Sequence, residues 1–237
     1  QNFIIGNKLK ILLSLLSFLA IINAQEYKIS VLGIDACIVN QTFKTKTKIT
    51  FSTNNIGIPG MIWPAKNFYS TEFDSLNFDL ISWSKKINQG SFKQKLSANY
   101  IDSVGAIIYN NKNIVSVSKK TKNIFSLLAM AQSKESSYLD TRWFNFEHEG
   151  AIGRARFVWA DSVTIEYNDI KELCDHYRLD IEITKESKLN EKSDYFLGEI
   201  LAPGMVKQIW VSRNKPKRII KATFKTLGIP LVAIIYE

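Results

Sequence analysis

Asn123-Ile124-Phe125-Ser126-Leu127-Leu128-Ala129-Met130-Ala131 is the one stretch of this chain that reads clearly as a helix. Asn123 carries a side-chain acceptor suited to cap the free N–H groups of a first helical turn. The eight residues after it are rich in Leu and Ala and apolar almost all round. A helix with no polar face needs cover on every side. It is therefore expected to be buried, as a plug or a lid on a sheet.

Outward from this helix the sequence alternates. Tyr27 to Leu32 alternates polar and apolar residues, Gly33 interrupts, and Ile34 to Phe51 resumes in extended form. Within it Lys44, Lys46 and Lys48 share one face, and Phe43, Thr45, Thr47, Ile49 and Phe51 the other, which is the period of a half-buried strand. Asn54 to Gly60 is a turn-rich connector. Ser91 to Tyr100 and Gly105 to Tyr109 are strands, and Asn110 to Asn113 is a hairpin turn before Ile114 to Val117. Strands resume after the helix from Trp143 to Gly150, from Ala155 to Tyr167 and around Leu179, Ile181 and Ile183. Gln208 to Ser212, Arg218 to Lys225 and Leu231 to Tyr236 form a closing antiparallel meander. The expected fold is mainly β, a curved antiparallel sheet of half-barrel or barrel-like form with one short buried helix.

The chain has 237 residues, 46% hydrophobic and 22% charged, with a net charge of +9. That composition excludes disordered, collagen-like and coiled-coil chains. Lys8 and Lys10 precede an apolar run from Ile11 to Ile22, and Asn23-Ala24 then offers a cleavage site. The run is shorter than the roughly 20 apolar residues of a spanning helix. Residues 1–24 are therefore expected to be a signal peptide, and 25–237 a single β-rich domain. Export predicts a periplasmic or outer-membrane-associated protein with no transmembrane span after cleavage. In an oxidising compartment Cys37 and Cys174 become disulfide candidates. Export also removes nucleic acid as a partner, although Gly153 to Trp159 mixes basic and aromatic residues.

The opening Tyr27 to Ile34, the helix-then-strand block from Asn123 to Phe146, and the closing Gln208 to Ser212 and Arg218 to Ile229 together resemble the exported bacterial proteins of domain of unknown function 3108. The resemblance runs over the whole chain after the leader. It implies an exported β-rich protein without an assigned catalytic set. Its curved sheet around a helix is similar to envelope lipoprotein carriers, which hold acyl chains in a half-barrel.

Chemistry is sparse. Glu147-His148-Glu149 on a strand would put two carboxylates on one face and the histidine on the other. Glu147 and Glu149 are thus the catalytic candidates, as an acid/base pair. With only two histidines in the chain, His148 and His176, no metal site is expected, and no cofactor. No nucleophile elbow, zinc-protease helix or phosphate-cradling glycine loop is present.

Three readings compete. The first is a non-enzymatic envelope protein that binds an apolar or lipid-like ligand, with Trp63, Phe68, Trp83, Leu127 and Trp143 as candidate ligand-binding residues. The second is an exported glycan-acting hydrolase or lyase that uses Glu147 and Glu149. The third is a structural or assembly partner of an envelope complex that docks through the Lys44, Lys46 and Lys48 face.

Overall fold

The computed structural model describes residues 23–189, 194, 197–198, 201–202, 204–226 and 229–236. Of the expected signal peptide, residues 1–22 lie outside the described residues, and Asn23 and Ala24 open β1. The strands are β1 (Asn23–Val31), β2 (Ile34–Thr45), β3 (Lys48–Asn55), β4 (Lys66–Phe73), β5 (Leu80–Gln89), β6 (Phe92–Ile101), β7 (Ala106–Tyr109) and β8 (Asn113–Ser116). They continue as β9 (Thr121–Lys122), β10 (Phe144–His148), β11 (Ala151–Tyr167), β12 (Ile170–Lys185), β13 (Lys207–Ser212), β14 (Ile219–Thr226) and β15 (Ile229–Ile235). The helices whose bounds fall within the described residues are α1 (Gly57–Ile62), α2 (Ile124–Ala131) and α3 (Ser136–Leu139).

Among the described residues all fifteen strands join one sheet, in the order β8-β7-β6-β5-β4-β3-β2-β1-β15-β14-β13-β12-β11-β10-β9. The chain meanders outward from β1 in one direction and returns from β9 in the other, so its first and last strands pair at the middle. Neighbours are antiparallel except β9 and β10. A sheet this wide curls, and here it curls around α2.

That helix matches the sequence expectation residue for residue. Asn123 caps it, its side chain accepting from Ser126 N at 2.9 Å while Ser126 Oγ accepts from Asn123 N at 3.1 Å. All of α2 except Leu128 is buried. The Phe125 ring lies 5.1 Å from Phe51 and 5.2 Å from Tyr69. The main core takes Val39, Phe51 and Phe73 from one half of the sheet and Phe157, Leu179 and Ile209 from the other. The helix is thus the plug that both halves cover, and its apolar circumference is explained by that.

Two local expectations need correction. Lys44, Lys46 and Lys48 do not share one strand face, because the chain reverses at Lys46–Thr47 between β2 and β3. Thr47 N donates to Thr45 Oγ1 at 3.2 Å, a turn made by threonine without glycine or proline. Lys48 then pairs with Glu72 at 2.7 Å. The connector after Asn54 holds α1, in which none of the side chains is buried.

Cys37 and Cys174, the disulfide candidates, are not bridged. Both are free thiols, and four strands lie between β2 and β12 in the sheet. Burial pushes the Cys37 thiol up to about 11 and Cys174 to about 12, which keeps both protonated and unreactive. No helix among the described residues is long and apolar enough to cross a membrane.

Candidate functional site

Two features share the interior, back to back. One is an apolar cavity of about 130 Å³ between α2 and the sheet. Its walls come from Tyr27 and Ile29 on β1, Val39 on β2, Phe51 on β3, Phe125 and Leu128 on α2, and Ile209 on β13. Gln41 and Lys207 also line it, yet the surface offered is almost wholly apolar because their polar ends are engaged elsewhere. The Gln41 amide donates to Gln132 Oε1 at 2.9 Å, Gln25 donates to the same oxygen at 3.0 Å, and Tyr27 donates to Gln25 Oε1 at 2.6 Å. Lys207 Nζ donates to the Met205 carbonyl at 3.1 Å, so its stem faces the cavity. Burial pulls the Lys207 ammonium down to about 8, with Asp180 opposing.

The other feature is a seam of buried polar groups where the two ends of the sheet meet. The edge strands β8 and β9 are not ladder partners. The ends are joined by side chains. Tyr109 of β7 donates to Glu147 Oε1 of β10 at 2.5 Å, and Gly150 N donates to the same oxygen at 2.7 Å. Lys85 of β5, fully buried, pairs with Glu149 and lies 3.5 Å from Asp194 Oδ2. Tyr69 donates to Asp194 Oδ1 at 3.0 Å. Lys122 of β9 pairs with Asp79 at 2.6 Å. The His148 ring stacks on Trp83 at 4.8 Å and meets Phe125 edge-on at 5.9 Å. Tyr69 and Phe125 belong to both features, so they form the wall between the cavity and the charges.

This arrangement changes the reading of Glu147-His148-Glu149. The strand ends at His148, and Glu149 and Gly150 make the hairpin turn with φ of +51° and +84°. Alternation stops there, so the two carboxylates do not share an exposed strand face. All three residues are buried, Glu149 least so at 7% exposure. Glycine at 150 is required twice, by its φ and because a Cβ would sit 2.6 Å from Ser187 Oγ. Burial pushes the Glu147 carboxyl up to about 7, against the bonds from Tyr109 and Gly150, with the Glu149 charge adding to the rise. Burial and the Lys85 charge hold the His148 imidazole down at about 3, and neither ring nitrogen has a partner among the described residues. Neither carboxylate lines the cavity, and both are committed to holding the seam.

The five expected ligand residues are not brought together, and none lines the cavity. Trp63 follows α1 and is half exposed beside Gly90, and Phe68 points outward from β4. Trp83 is at the seam, Leu127 is wholly inside the core, and Trp143 lies beneath the guanidinium groups of Arg154 and Arg156 at 4.2 and 4.4 Å. The cavity residue on α2 is the neighbouring Leu128. Lys85 is not among the sequence candidates although it carries a signal: it stands between Trp83 and Ile87 on the inward face of β5. Among the described residues no cluster of three metal-ligating side chains occurs.

No protein-family model matches the sequence, and no curated protein matches it either. The likeness to domain of unknown function 3108 therefore stays a matter of residue pattern. A solved structure is similar in fold: the β-barrel-like protein of domain of unknown function DUF1849 from Brucella abortus, with a TM-score of 0.54 at 9% identity, over 90% of this chain and 94% of that one. A DUF1089 family protein from Pseudomonas aeruginosa gives a TM-score of 0.36 at 9% identity, over 63% of this chain and 83% of that one. The first shares the barrel-like architecture, and at that identity the likeness concerns fold alone.

Proposed function

We propose that this protein is a non-enzymatic binder of an apolar ligand, exported to the cell envelope. The observation that carries the reading is the cavity beside α2, whose polar neighbours are turned away from it. An apolar cavity of roughly 150 Å³ elsewhere in proteins stays dry and accepts a benzene-sized guest. The present one, at about 130 Å³, suits a single ring or the end of an acyl chain, not a whole lipid. The expected export supports the setting, since a lipid-like ligand is at hand in an envelope.

The test is calorimetric titration of the full chain with benzene, used as the probe, and with saturated carboxylic acids of increasing length. Ala233 lines the cavity, so Ala233→Phe should weaken probe binding at least tenfold and leave the melting temperature near the parent's. No binding of the probe or of any acid by the folded parent overturns the reading.

A further inference from the structure

At one end of the sheet, α1 displays its apolar side chains to solvent. Ile58, Met61 and Ile62 are 65%, 85% and 79% exposed, and Trp63 just after them is 47% exposed. A helix with no buried residue contributes little core, yet α1 is firmly seated. Ile56 N donates to Ala36 O at 2.9 Å, Asn55 N to Ala65 O at 3.1 Å, and Asn55 Nδ2 to Trp63 O at 3.0 Å. A Cβ at Gly60 would sit 2.7 Å from Asn55 O, so the helix backbone lies directly on the end of β3. The apolar residues are therefore held outward by a built support.

One carboxylate residue, Asp35 of β2, lies beside Gly57 of α1, and otherwise the surroundings are cationic. No carboxylate occurs from Ile49 to Thr71 or from Leu80 to Ile101. These segments hold most of β3 and β4 and all of β5 and β6, and they expose Lys66, Lys86, Lys93 and Lys95, while Glu72 at the far end of β4 is paired with Lys48. Lys86 stands opposite both Phe68 and Lys95 on the outer face, and Phe68 is itself 44% exposed. Gly90 N donates to Pro64 O at 2.9 Å, which brings the β5–β6 turn, and with it Lys93, close to α1.

We propose that this end of the molecule docks on an anionic lipid surface. Ile58, Met61, Ile62 and Trp63 enter the boundary between headgroups and acyl chains, and the four lysines meet the headgroups. Interfacial helices combine these two elements, apolar side chains for insertion and lysines for anionic lipid. Each lysine near such a surface is worth about a fivefold change in partitioning. Tryptophan is suited to the same depth, with an apolar body and a polar edge.

The position is consistent with access to the cavity. Gln41, Phe51 and Tyr69 pair in register beneath α2. The next inward rung towards α1 is Val39 and Thr53, both of which line the cavity. Two residues further, Asn55 leads into α1. Docking does not depend on the cavity being a binding site.

The experiment is co-sedimentation of the full chain with phosphatidylcholine vesicles, with and without phosphatidylglycerol. Binding is expected to the mixed vesicles, at least tenfold weaker to phosphatidylcholine alone, and reduced by high salt. Met61→Asp with Ile62→Asp, both on exposed positions, should reduce partitioning at least tenfold with an unchanged melting temperature. Lys66→Glu with Lys93→Glu should do the same. Ala233→Phe should leave vesicle binding intact, which separates this proposal from the ligand cavity. Absence of binding to the anionic vesicles, or binding that survives both pairs of substitutions, overturns it. So does a stable dimer in sedimentation velocity that the Met61→Asp, Ile62→Asp pair abolishes, because the patch would then be covered by a second copy.

Discussion

The Tyr109 hydroxyl lies 2.5 Å from Glu147 Oε1 and joins β7 to β10, strands near opposite edges of the sheet. It is one of the side-chain links that bring the ends of the sheet together in place of a main-chain ladder. Tyr109→Phe removes the donor and leaves Glu147 Oε1 with the Gly150 amide. A buried acceptor that loses a partner costs about 1–3 kcal/mol. Urea denaturation should show a loss of that size with an unchanged slope.

The seam also sets a pH dependence. The Glu147 carboxyl, ordinarily near 4.5, is held up at about 7, so the folded chain carries the extra proton and stability falls as pH rises through that window. His148, ordinarily near 6.5, is held down at about 3, so the unfolded chain carries the extra proton and stability rises with pH through that window. Each slope is about 1.4 kcal/mol per pH unit. Between pH 4.5 and 6.5 they oppose each other. Glu147→Gln should leave a stability that rises with pH across this range, and His148→Phe one that falls. Urea midpoints at several pH values check it, and parallel curves for parent and both variants would contradict it.

Lys85 is buried between Glu149 and Asp194. Lys85→Met leaves two carboxylates in the interior without their cation. Breaking a buried pair from one side costs about 3–5 kcal/mol. Adding Glu149→Gln should recover part of that loss, because one of the two stranded charges is then gone. Chemical denaturation of the single and double variants measures both steps.

Two glycines should respond differently to alanine. A Cβ at Gly153 would sit 2.0 Å from the Glu182 carbonyl oxygen, in the ladder between β11 and β12. Gly33 has a φ of +81° but nothing within 4 Å of its Cβ position. Gly33→Ala should therefore cost about 1 kcal/mol of backbone strain. Gly153→Ala must move main chain and should lower the melting temperature by several times as much. Equal melting temperatures for the two variants would contradict this.

The features legible in sequence were those written within a few residues. The N-cap at Asn123, the all-round apolar helix, and the two-residue period of β6, β13 and β14 needed no partner to be read. The Lys44 to Lys48 reversal was hidden because alternating Lys and Thr keeps a strand's period through a turn that lacks glycine or proline. Glu147 and Glu149 stand out in the sequence as a local cluster, but their use is not legible there. Tyr109 lies 38 residues before Glu147, and Lys85 and Asp194 are 109 residues apart. The lysine on the inward face of β5 was the visible trace of that cluster.

Local sequence is enough for a β shell and for the helix that must be buried inside it, because capping and periodicity act over one turn or one strand. The tertiary structure alone decided which polar residues meet at the seam, that the cavity lies beside Leu128, and that α1 turns its apolar side chains outward. These depend on how far the sheet curls before its ends meet. Curvature sums small twists over fifteen strands, and no single segment of the sequence carries that sum.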